Sequence, residues 1–264
     1  MHWWLIYLLL GGFAGLFAGL LGVGGGLTVV PLLLMIFAAQ DLPEAHLMQL
    51  ALGTAMAGIV FTSISSLRAH HLHAAVDWQV VRRIAPGIVA GTLLGTALAG
   101  QLHSRALAIF FALFAYAAAT QLLLNVRPKP TRELPGKAGM TAIGGAIGGV
   151  CSLVAAGGGL LMVPFLAFCN VPLHRAIGTA AAVGFPIAVA GTFGYIVNGS
   201  GKPGLPEHAF GFVYLPALFW LVSASMLTAP LGAKIAHRMK VANLRKVFAA
   251  LLYVLATKML ASVL

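Results

Sequence analysis

Residues 24–32 read GGGLTVVPL, and residues 157–165 read GGGLLMVPF. Each stretch has three glycines followed by apolar residues with a proline near the end, and each lies within a long hydrophobic region. Because a glycine in a helix interior costs about 1 kcal/mol relative to alanine, a triplet predicts a broken helix. Two such breaks at matching places predict a duplicated chain, and in membrane proteins this pattern indicates the substrate site of a secondary transporter.

The composition is that of a membrane protein. Hydrophobic residues make up 60% of the chain and charged residues only 8%, whereas soluble domains carry about 25% charged residues. The net charge of +11 is explained by basic cytoplasmic loops rather than by nucleic acid binding. Segment 3–20 lacks a basic start and a cleavage site, so we expect a mature helix and not a signal peptide. Cys151 and Cys169 are expected to pack as small apolar side chains.

The duplication extends beyond the glycine triplets. LGTAMA at 52–57 resembles IGTAAA at 177–182, and LGTALAGQL at 94–102 resembles LGAKIAHRM at 231–239. The chain is therefore expected to contain two transmembrane repeats and a polar cytoplasmic linker. Their predicted limits are 1–124 for the first repeat, 125–137 for the linker and 138–264 for the second repeat.

Each repeat contains five apolar segments, and the second segment of each is short. Twelve residues of helix extend about 18 Å, while the hydrocarbon core of a bilayer is about 30 Å thick. We therefore expect each glycine break to lie within the membrane. The predicted segments are 3–20, 27–38, 46–67, 79–100 and 106–124 in the first repeat, and 138–155, 160–169, 175–197, 210–233 and 243–263 in the second.

The loop charges predict the orientation. If the first two segments of each repeat form a hairpin that returns to its starting side, most Lys and Arg residues share one face. The positive-inside rule makes that face cytoplasmic and puts both termini outside. Five crossings per repeat then invert the second repeat relative to the first, an arrangement that supports alternating access. The basic loops are 68–83, 125–137, 170–175 and 234–246.

These features resemble those of a known family. The glycine breaks before short helices with a proline near the end, the G-T-x-x-A segments, the duplication and the stretch HAAVDW at 73–78 are similar to those of the TauE/SafE family of sulfite and sulfonate exporters. The resemblance implies a bacterial inner-membrane permease without ATP-hydrolysing domains that exports a small anion, such as sulfite, sulfoacetate or another sulfonate. Asn198–His208 in the second repeat departs from the basic V-D-W loop of the first.

An anion site also follows from the residues. A break in a helix exposes backbone N–H groups and the positive end of the next helix dipole, and glycine lets a ligand approach that backbone closely. Threonine hydroxyls in the G-T pairs would add polar contacts. The alternatives are helix packing for the glycines and a bond to its own helical turn for each threonine. The candidate substrate-binding residues are Gly24, Gly25, Gly26, Thr28, Gly53, Thr54, Gly157, Gly158, Gly159, Gly178 and Thr179.

Other glycines form stripes with a spacing of four residues, which is typical of helix packing faces in membranes. The stripes are Gly11, Gly15 and Gly19; Gly87, Gly91 and Gly95; Gly144 with Gly148; and Gly145 with Gly149.

The sequence predicts neither an enzyme nor a metal site. It contains no P-loop, H-E-x-x-H or G-x-S-x-G motif, and its five acidic residues lie in or near loops. His70, His71 and His73 are open to three interpretations: a solvated loop, a metal site or a proton relay.

We therefore expect an all-α integral membrane protein of two inverted repeats that transports a small anion without a cofactor. The alternative is a non-transporting membrane subunit or assembly factor whose glycine stripes bind partner helices. The expected partners are the anion and the lipid bilayer, with a homo-oligomer left open, and no nucleic acid.

Overall fold

The computed structural model describes residues 2–21, 25–124, 132–236 and 241–263. Within these ranges the fold is almost entirely helical, with one 3-10 turn and one small β-hairpin. The helices are α1 (Trp3–Leu21), α2 (Gly26–Ala39), α3 (Leu47–Leu72), α4 (Trp78–Gln101), α5 (Ser104–Leu124), α6 (Lys137–Val154), α7 (Gly159–Phe168), α8 (Leu173–Gly199), α9 (Leu215–Ala236) and α10 (Val241–Val263). The 3-10 turn is Glu44–His46, and the hairpin pairs β1 (Ala209–Phe210) with β2 (Val213–Tyr214) in antiparallel register.

Each predicted apolar segment coincides with one of these helices. The largest differences are of five residues: α3 ends at Leu72 instead of 67, and α9 begins at Leu215 instead of 210 because the preceding residues form the β-hairpin. Lys137 was predicted to end the linker but begins α6. Residues 125–131 of the predicted linker lie outside the described residues.

The outer surface of the helices is apolar. Five of the described helical segments are long and apolar enough to span a bilayer, and Leu9, Leu94 and Leu227 are each more than 70% exposed. A soluble domain does not present so many large apolar side chains to water, so these surfaces are explained by contact with lipid. The expectation of an all-α membrane protein is confirmed. The spanning candidates are Glu44–Leu72, Trp78–Gln101, Ser104–Leu124, Lys137–Val154 and Leu173–Gly199.

The glycine stripe of α1 packs against α9. A methyl group on Gly11 would overlap the carbonyl oxygen of Leu221, and one on Gly15 would overlap Ser225 and Thr228. Because both contact positions advance in the same direction along the chain, α1 and α9 run parallel. Gly19 is not among the residues whose side-chain surroundings are described.

The glycine stripes of α4 and α6 face each other in the same way. A methyl group on Gly87 would overlap the Thr141 carbonyl oxygen, and one on Gly91 would overlap that of Gly145. In return, Gly148 lies against the backbone of Ile88. The predicted packing role of these stripes is confirmed. Helices from different halves of the chain are thus joined at both places, α1 to α9 and α4 to α6.

The loops gather at two opposite ends of α3. The hairpin end, defined by residues 209–214, also contains the start of α3, because the rings of His46 and Phe212 are in contact with centroids 5.4 Å apart. The histidine end, defined by residues 70–77, contains the start of α8, because the N–H of Asp77 bonds to Thr179. α3 starts at the hairpin end and α8 starts at the histidine end, so the two helices run in opposite directions.

Candidate functional site

Both glycine breaks have the same local geometry. Gly25 precedes α2 with φ 67°, and Gly158 precedes α7 with φ 79°. This left-handed region is accessible to glycine at little steric cost, which explains why the chain has glycine where each short helix begins. Gly24 lies outside the described residues.

The breaks leave helix N-termini without side-chain caps. Neither Gly25 nor Gly158 provides a side chain that accepts a hydrogen bond. The carbonyl of Gly25 accepts bonds from the N–H groups of Thr28 and Val29. The first N–H groups of any helix have no acceptor within the helix, so Gly26 and Leu27 in α2 have N–H groups for which the helix itself offers no partner. The same holds at the start of α7, where the first intrahelical bond is that of Leu161 to Gly158.

The two breaks are in contact with each other. A methyl group on Gly26 would overlap the carbonyl oxygen of Ala155, which ends α6 in a left-handed conformation. Gly157 in turn lies against Gly184 of α8. The structure therefore places Gly26 against Ala155, at the edge of the second break at 155–159, although roughly half the chain separates them in sequence.

A small cavity adjoins the first break. It has a volume of about 20 Å³ and is lined by both halves of the chain. A cavity of this size accommodates about one water molecule, so this cavity does not hold an anion of four or more heavy atoms. Its lining includes Gly25, Gly26, Val29, Ile59, Leu221 and Ser225.

Thr28 lies at this break, but its hydroxyl donates to the carbonyl oxygen of Gly25 at 2.8 Å. This is the local bond that threonine commonly forms in a helix. In this conformation only the oxygen lone pairs of Thr28 are free, and these do not attract an anion. A direct contact from Thr28 to an anion therefore requires the hydroxyl to leave Gly25.

The G-T pair of the first half docks on the hairpin end. Thr54 is fully buried, and its Oγ1 accepts a 3.0 Å bond from the N–H of Tyr214. The neighbouring Gly53 lies against the carbonyl oxygen of Phe212, where a methyl group would overlap it. We call this Gly53–Thr54 contact with residues 212–214 the hairpin latch.

The G-T pair of the second half makes the corresponding contact at the histidine end. Thr179 is fully buried, and its Oγ1 accepts a 2.9 Å bond from the N–H of Asp77. A methyl group on Gly178 would overlap the carbonyl oxygen of Ala75. We call this Gly178–Thr179 contact with residues 75–77 the histidine latch. Each latch joins the third helix of one half to the backbone just before the fourth helix of the other half.

The candidate residues thus fall into two groups in the structure. Gly26 of the first break contacts Ala155 at the edge of the second break, with Thr28 just after it in α2, whereas the G-T pairs form the two latches. The backbone partners of the latches were not predicted, although the repeat contains a signal for them. The alignment that pairs 94–102 with 231–239 also pairs Val76-Asp77 with Val213-Tyr214.

The three histidines lie on the last turns of α3 and just after it. His71 accepts a 3.3 Å hydrogen bond from the indole N–H of Trp78, and His73 Nδ1 lies 2.8 Å from the carbonyl oxygen of Ala69. Among the described residues, no three His, Cys, Asp or Glu side chains are placed to hold a metal ion. These contacts are those of side chains that pack and cap a helix end.

Comparison with known proteins identifies the family. The model of the family described as "Sulfite exporter TauE/SafE" matches residues 7–259. The chain belongs to the TauE/SafE family. The glycine breaks and both latches lie within the matched range, so the site geometry described above is that of a member of this family. No solved structure gives a significant match.

Several relatives extend along most of the chain. A "Probable membrane transporter protein" of Haemophilus influenzae is 37% identical, and the match covers 97% of each chain. A protein of the same description from Methanocaldococcus jannaschii is 25% identical over 97% of this chain and 94% of its own. One from Bacillus subtilis is 26% identical over 74% of this chain and 78% of its own. With the family match, these relatives show that this protein is a membrane transporter.

Proposed function

We propose that this transporter moves a small anion, sulfite or an organosulfonate, by alternating access, and that the anion binds where the two glycine breaks meet. The observation that carries the proposal is the contact of Gly26 with Ala155. Because Ala155 follows α6 and leads into the second break, this contact supports a site to which the backbone N–H groups at the starts of both short helices contribute. The relatives and the family name support a transporter, and the family name refers to sulfite.

Backbone donors suit such an anion. An uncapped helix start presents N–H groups and a partial positive charge without a buried Lys or Arg. A charged side chain at the centre of a bilayer costs about 2.5–3.5 kcal/mol on insertion scales, so a site made of backbone avoids that cost when the anion is absent. The residues proposed to contact the anion are Gly24, Gly25, Gly26, Thr28, Gly157, Gly158 and Gly159.

The two latches suggest how access alternates. The hairpin latch and the histidine latch make equivalent contacts at opposite ends of α3. We propose that Gly53, Thr54, Gly178 and Thr179 act as gates, and that opening one latch while the other stays closed exposes the breaks to one side. The small volume of the cavity at the break fits a conformation in which both are closed.

The arrangement of helices supports inverted repeats. α1 runs parallel to α9, and α4 runs parallel to α6, so the first helix of each half packs along the fourth helix of the other. We propose a bacterial inner-membrane location in which the histidine end, with the loop 68–83, faces the cytoplasm. Both termini would then lie outside.

The alternative of a non-transporting assembly factor rested on glycine stripes that bind partner helices. In the structure the described stripe glycines at Gly11, Gly15, Gly87 and Gly91 are covered by α9 and α6 of the same chain. They are therefore not available to another protein, and transport is the function that the structure favours.

Flux in proteoliposomes tests the proposal. Purified protein is offered sulfite, sulfoacetate, taurine, thiosulfate, sulfate and acetate, with and without a pH gradient. We expect saturable movement of sulfite or a sulfonate, with acetate as the non-sulfur control. Saturable flux of acetate alone would overturn the substrate class, and folded protein that moves none of these anions would overturn the proposal for sulfur oxyanions.

A further inference from the structure

A second cavity lies at the hairpin end, far along α1 from the glycine break. It has a volume of about 300 Å³, which lies at the lower end of the range for small-molecule sites. Five of its eight lining residues are tryptophan or tyrosine. The lining consists of Trp3, Trp4, Tyr7, Gln40, Leu42, Tyr214, Pro216 and Trp220. We call this cavity the aromatic cage.

The floor of the cage is fixed in place by hydrogen bonding and packing. The Tyr7 hydroxyl donates to Gln40 Oε1 at 2.9 Å. The rings of Tyr7 and Tyr214 both meet the fully buried ring of Phe37 edge to face, with centroids 6.4 and 5.5 Å away. Because α1, α2 and β2 each contribute to this floor, the two tyrosines are held without a ligand.

One wall of the cage is made of tryptophan. The rings of Trp4 and Trp220 are in contact, with centroids 5.7 Å apart. Trp4 is 43% exposed, so the wall is reached from outside the protein. Three of the four tryptophans of the chain thus line one cavity.

The electrostatics of the cage favour a cation. Aromatic faces carry partial negative charge and attract ammonium groups. None of the described lining residues is basic, and the exposed Asp41 lies in the chain between Gln40 and Leu42. A cavity lined by aromatic side chains and one amide, with no Lys or Arg among its lining residues, is suited to a cation that does not need many hydrogen-bond acceptors.

We propose that the aromatic cage binds a small quaternary ammonium cation at the hairpin end. Such a cation is recognised by aromatic faces because its charge is spread over methyl groups and donates no hydrogen bonds. This site is separate from the glycine breaks, and its binding does not depend on which anion is transported. A membrane belt of tryptophan and tyrosine accounts for side chains at the interface but not for their convergence with Gln40 around one cavity.

Tryptophan fluorescence measures binding in the aromatic cage directly. In the variant Trp78→Phe, Trp3, Trp4 and Trp220 are the only tryptophans left, so all tryptophan emission comes from the cage. The variant, purified in a maltoside detergent, is titrated with choline, with tetramethylammonium and with 3,3-dimethyl-1-butanol, the uncharged analogue of choline. We expect a saturable change in emission with both cations and none with the uncharged alcohol.

Calorimetry with matched variants locates the site. Trp4→Leu is expected to weaken choline binding at least five-fold, whereas Trp78→Leu is expected to leave it unchanged. The two tryptophans make a matched pair because they are 43% and 41% exposed. Equal responses to choline and the uncharged alcohol, no saturable response to either cation, or equal weakening by the two variants would each overturn the proposal.

The quaternary ammonium group also occurs in phosphatidylcholine headgroups, so an experiment in nanodiscs tests whether the bound cation is a lipid headgroup or a free solute. Choline is titrated into the Trp78→Phe protein in nanodiscs of phosphatidylglycerol, with and without added phosphatidylcholine. Loss of the choline response on adding phosphatidylcholine identifies a lipid headgroup as the occupant. A response that persists identifies a free solute, and a response absent from both types of nanodisc overturns the proposal for the protein in a bilayer.

Discussion

Thr54 accepts a 3.0 Å hydrogen bond from the backbone N–H of Tyr214, although 160 residues separate them in the chain. Thr179 accepts the equivalent bond of 2.9 Å from Asp77, over 102 residues in the opposite direction. Each bond ties one half of the chain to the other, and the two bonds lie toward opposite ends of α3. Because the two bonds are equivalent, removing either one should affect the corresponding end of the protein.

Removing the Thr54 hydroxyl should destabilise the protein. Thr54→Val keeps the shape of the side chain but leaves the Tyr214 N–H without its acceptor, and an unsatisfied buried donor costs about 1–3 kcal/mol. We expect a lower midpoint of thermal unfolding in detergent. Thr54→Ser retains the acceptor and serves as the control, so equal losses in the two variants would contradict the role of the bond.

The latches should open opposite ends of the protein. Ala51 and Ala176 are fully buried on α3 and α8, three residues before Thr54 and Thr179 respectively. We expect Thr54→Val to increase the rate at which a maleimide labels Ala51→Cys, but not Ala176→Cys. Thr179→Val should give the reverse pattern. Both native cysteines are buried, which keeps the background low. Equal labelling of both reporters in both variants would show general loosening and not gating.

A fixed negative charge at the second break should block transport. Gly158→Asp and Gly158→Asn add side chains of equal size, and aspartate and asparagine both tolerate the left-handed backbone better than other residues do. The nearest atom to the new Cβ is Ile187 Cδ1 at 2.9 Å, the movable end of a flexible side chain. We expect Gly158→Asp to lower anion flux in proteoliposomes at least ten-fold relative to Gly158→Asn, because the carboxylate competes with the substrate for the backbone donors.

Equal flux in these two variants, both correctly folded by size-exclusion chromatography, would argue that the start of α7 does not contact the anion.

At the α4–α6 interface, Gly91 and Gly145 contact each other but differ in the space available for an added methyl group. A methyl group on Gly91 would overlap the Gly145 carbonyl oxygen, whereas one on Gly145 has its nearest neighbour, the Gly87 oxygen, at an ordinary 3.7 Å. Overpacking a close contact costs about 1–3 kcal/mol, so we expect Gly91→Ala to lower the thermal unfolding midpoint and Gly145→Ala to leave it nearly unchanged. A larger loss from Gly145→Ala would contradict the packing geometry.

Single cysteines test the proposed orientation. His73 and Lys202 are exposed, and they lie at the histidine end and the hairpin end respectively. A membrane-impermeant maleimide applied to intact cells should label Lys202→Cys, while His73→Cys should react only after permeabilisation. The reverse pattern would place the histidine end outside.

Much of the fold follows from the sequence because membrane helices have a strong local signal. The lengths of the apolar segments predicted the position of each described helix, and the spacing of the glycines identified the packing faces at Gly11 and Gly91. The sequence did not reveal that these faces pack on helices of the other half, because a glycine stripe specifies a close approach but no partner. The hairpin at 209–214 was missed because its strands have two residues each, too few for a detectable alternation.

The candidate site was predicted less completely. The glycine breaks are visible because three consecutive glycines have few purposes in a helix. The threonines were expected as ligands or as bonds within their own turn, and the structure gives Thr54 and Thr179 a third contact, with distant backbone. Nearly every residue has a backbone N–H, whatever its side chain. The sequence therefore shows which threonine can accept a hydrogen bond but not which backbone N–H donates it.

The exchange of helices between the halves has a consequence for biogenesis. The face of α1 that contains Gly11 can pack on Leu221 only after α9 has been synthesised. At ribosomal speeds that is roughly ten to forty seconds after the synthesis of α1. During that time α1 lies in the bilayer, and its glycine stripe contacts only lipid or the insertion machinery. Chains truncated before α9 should therefore be substrates for membrane proteases, and the two halves, expressed as separate polypeptides, should protect each other from degradation.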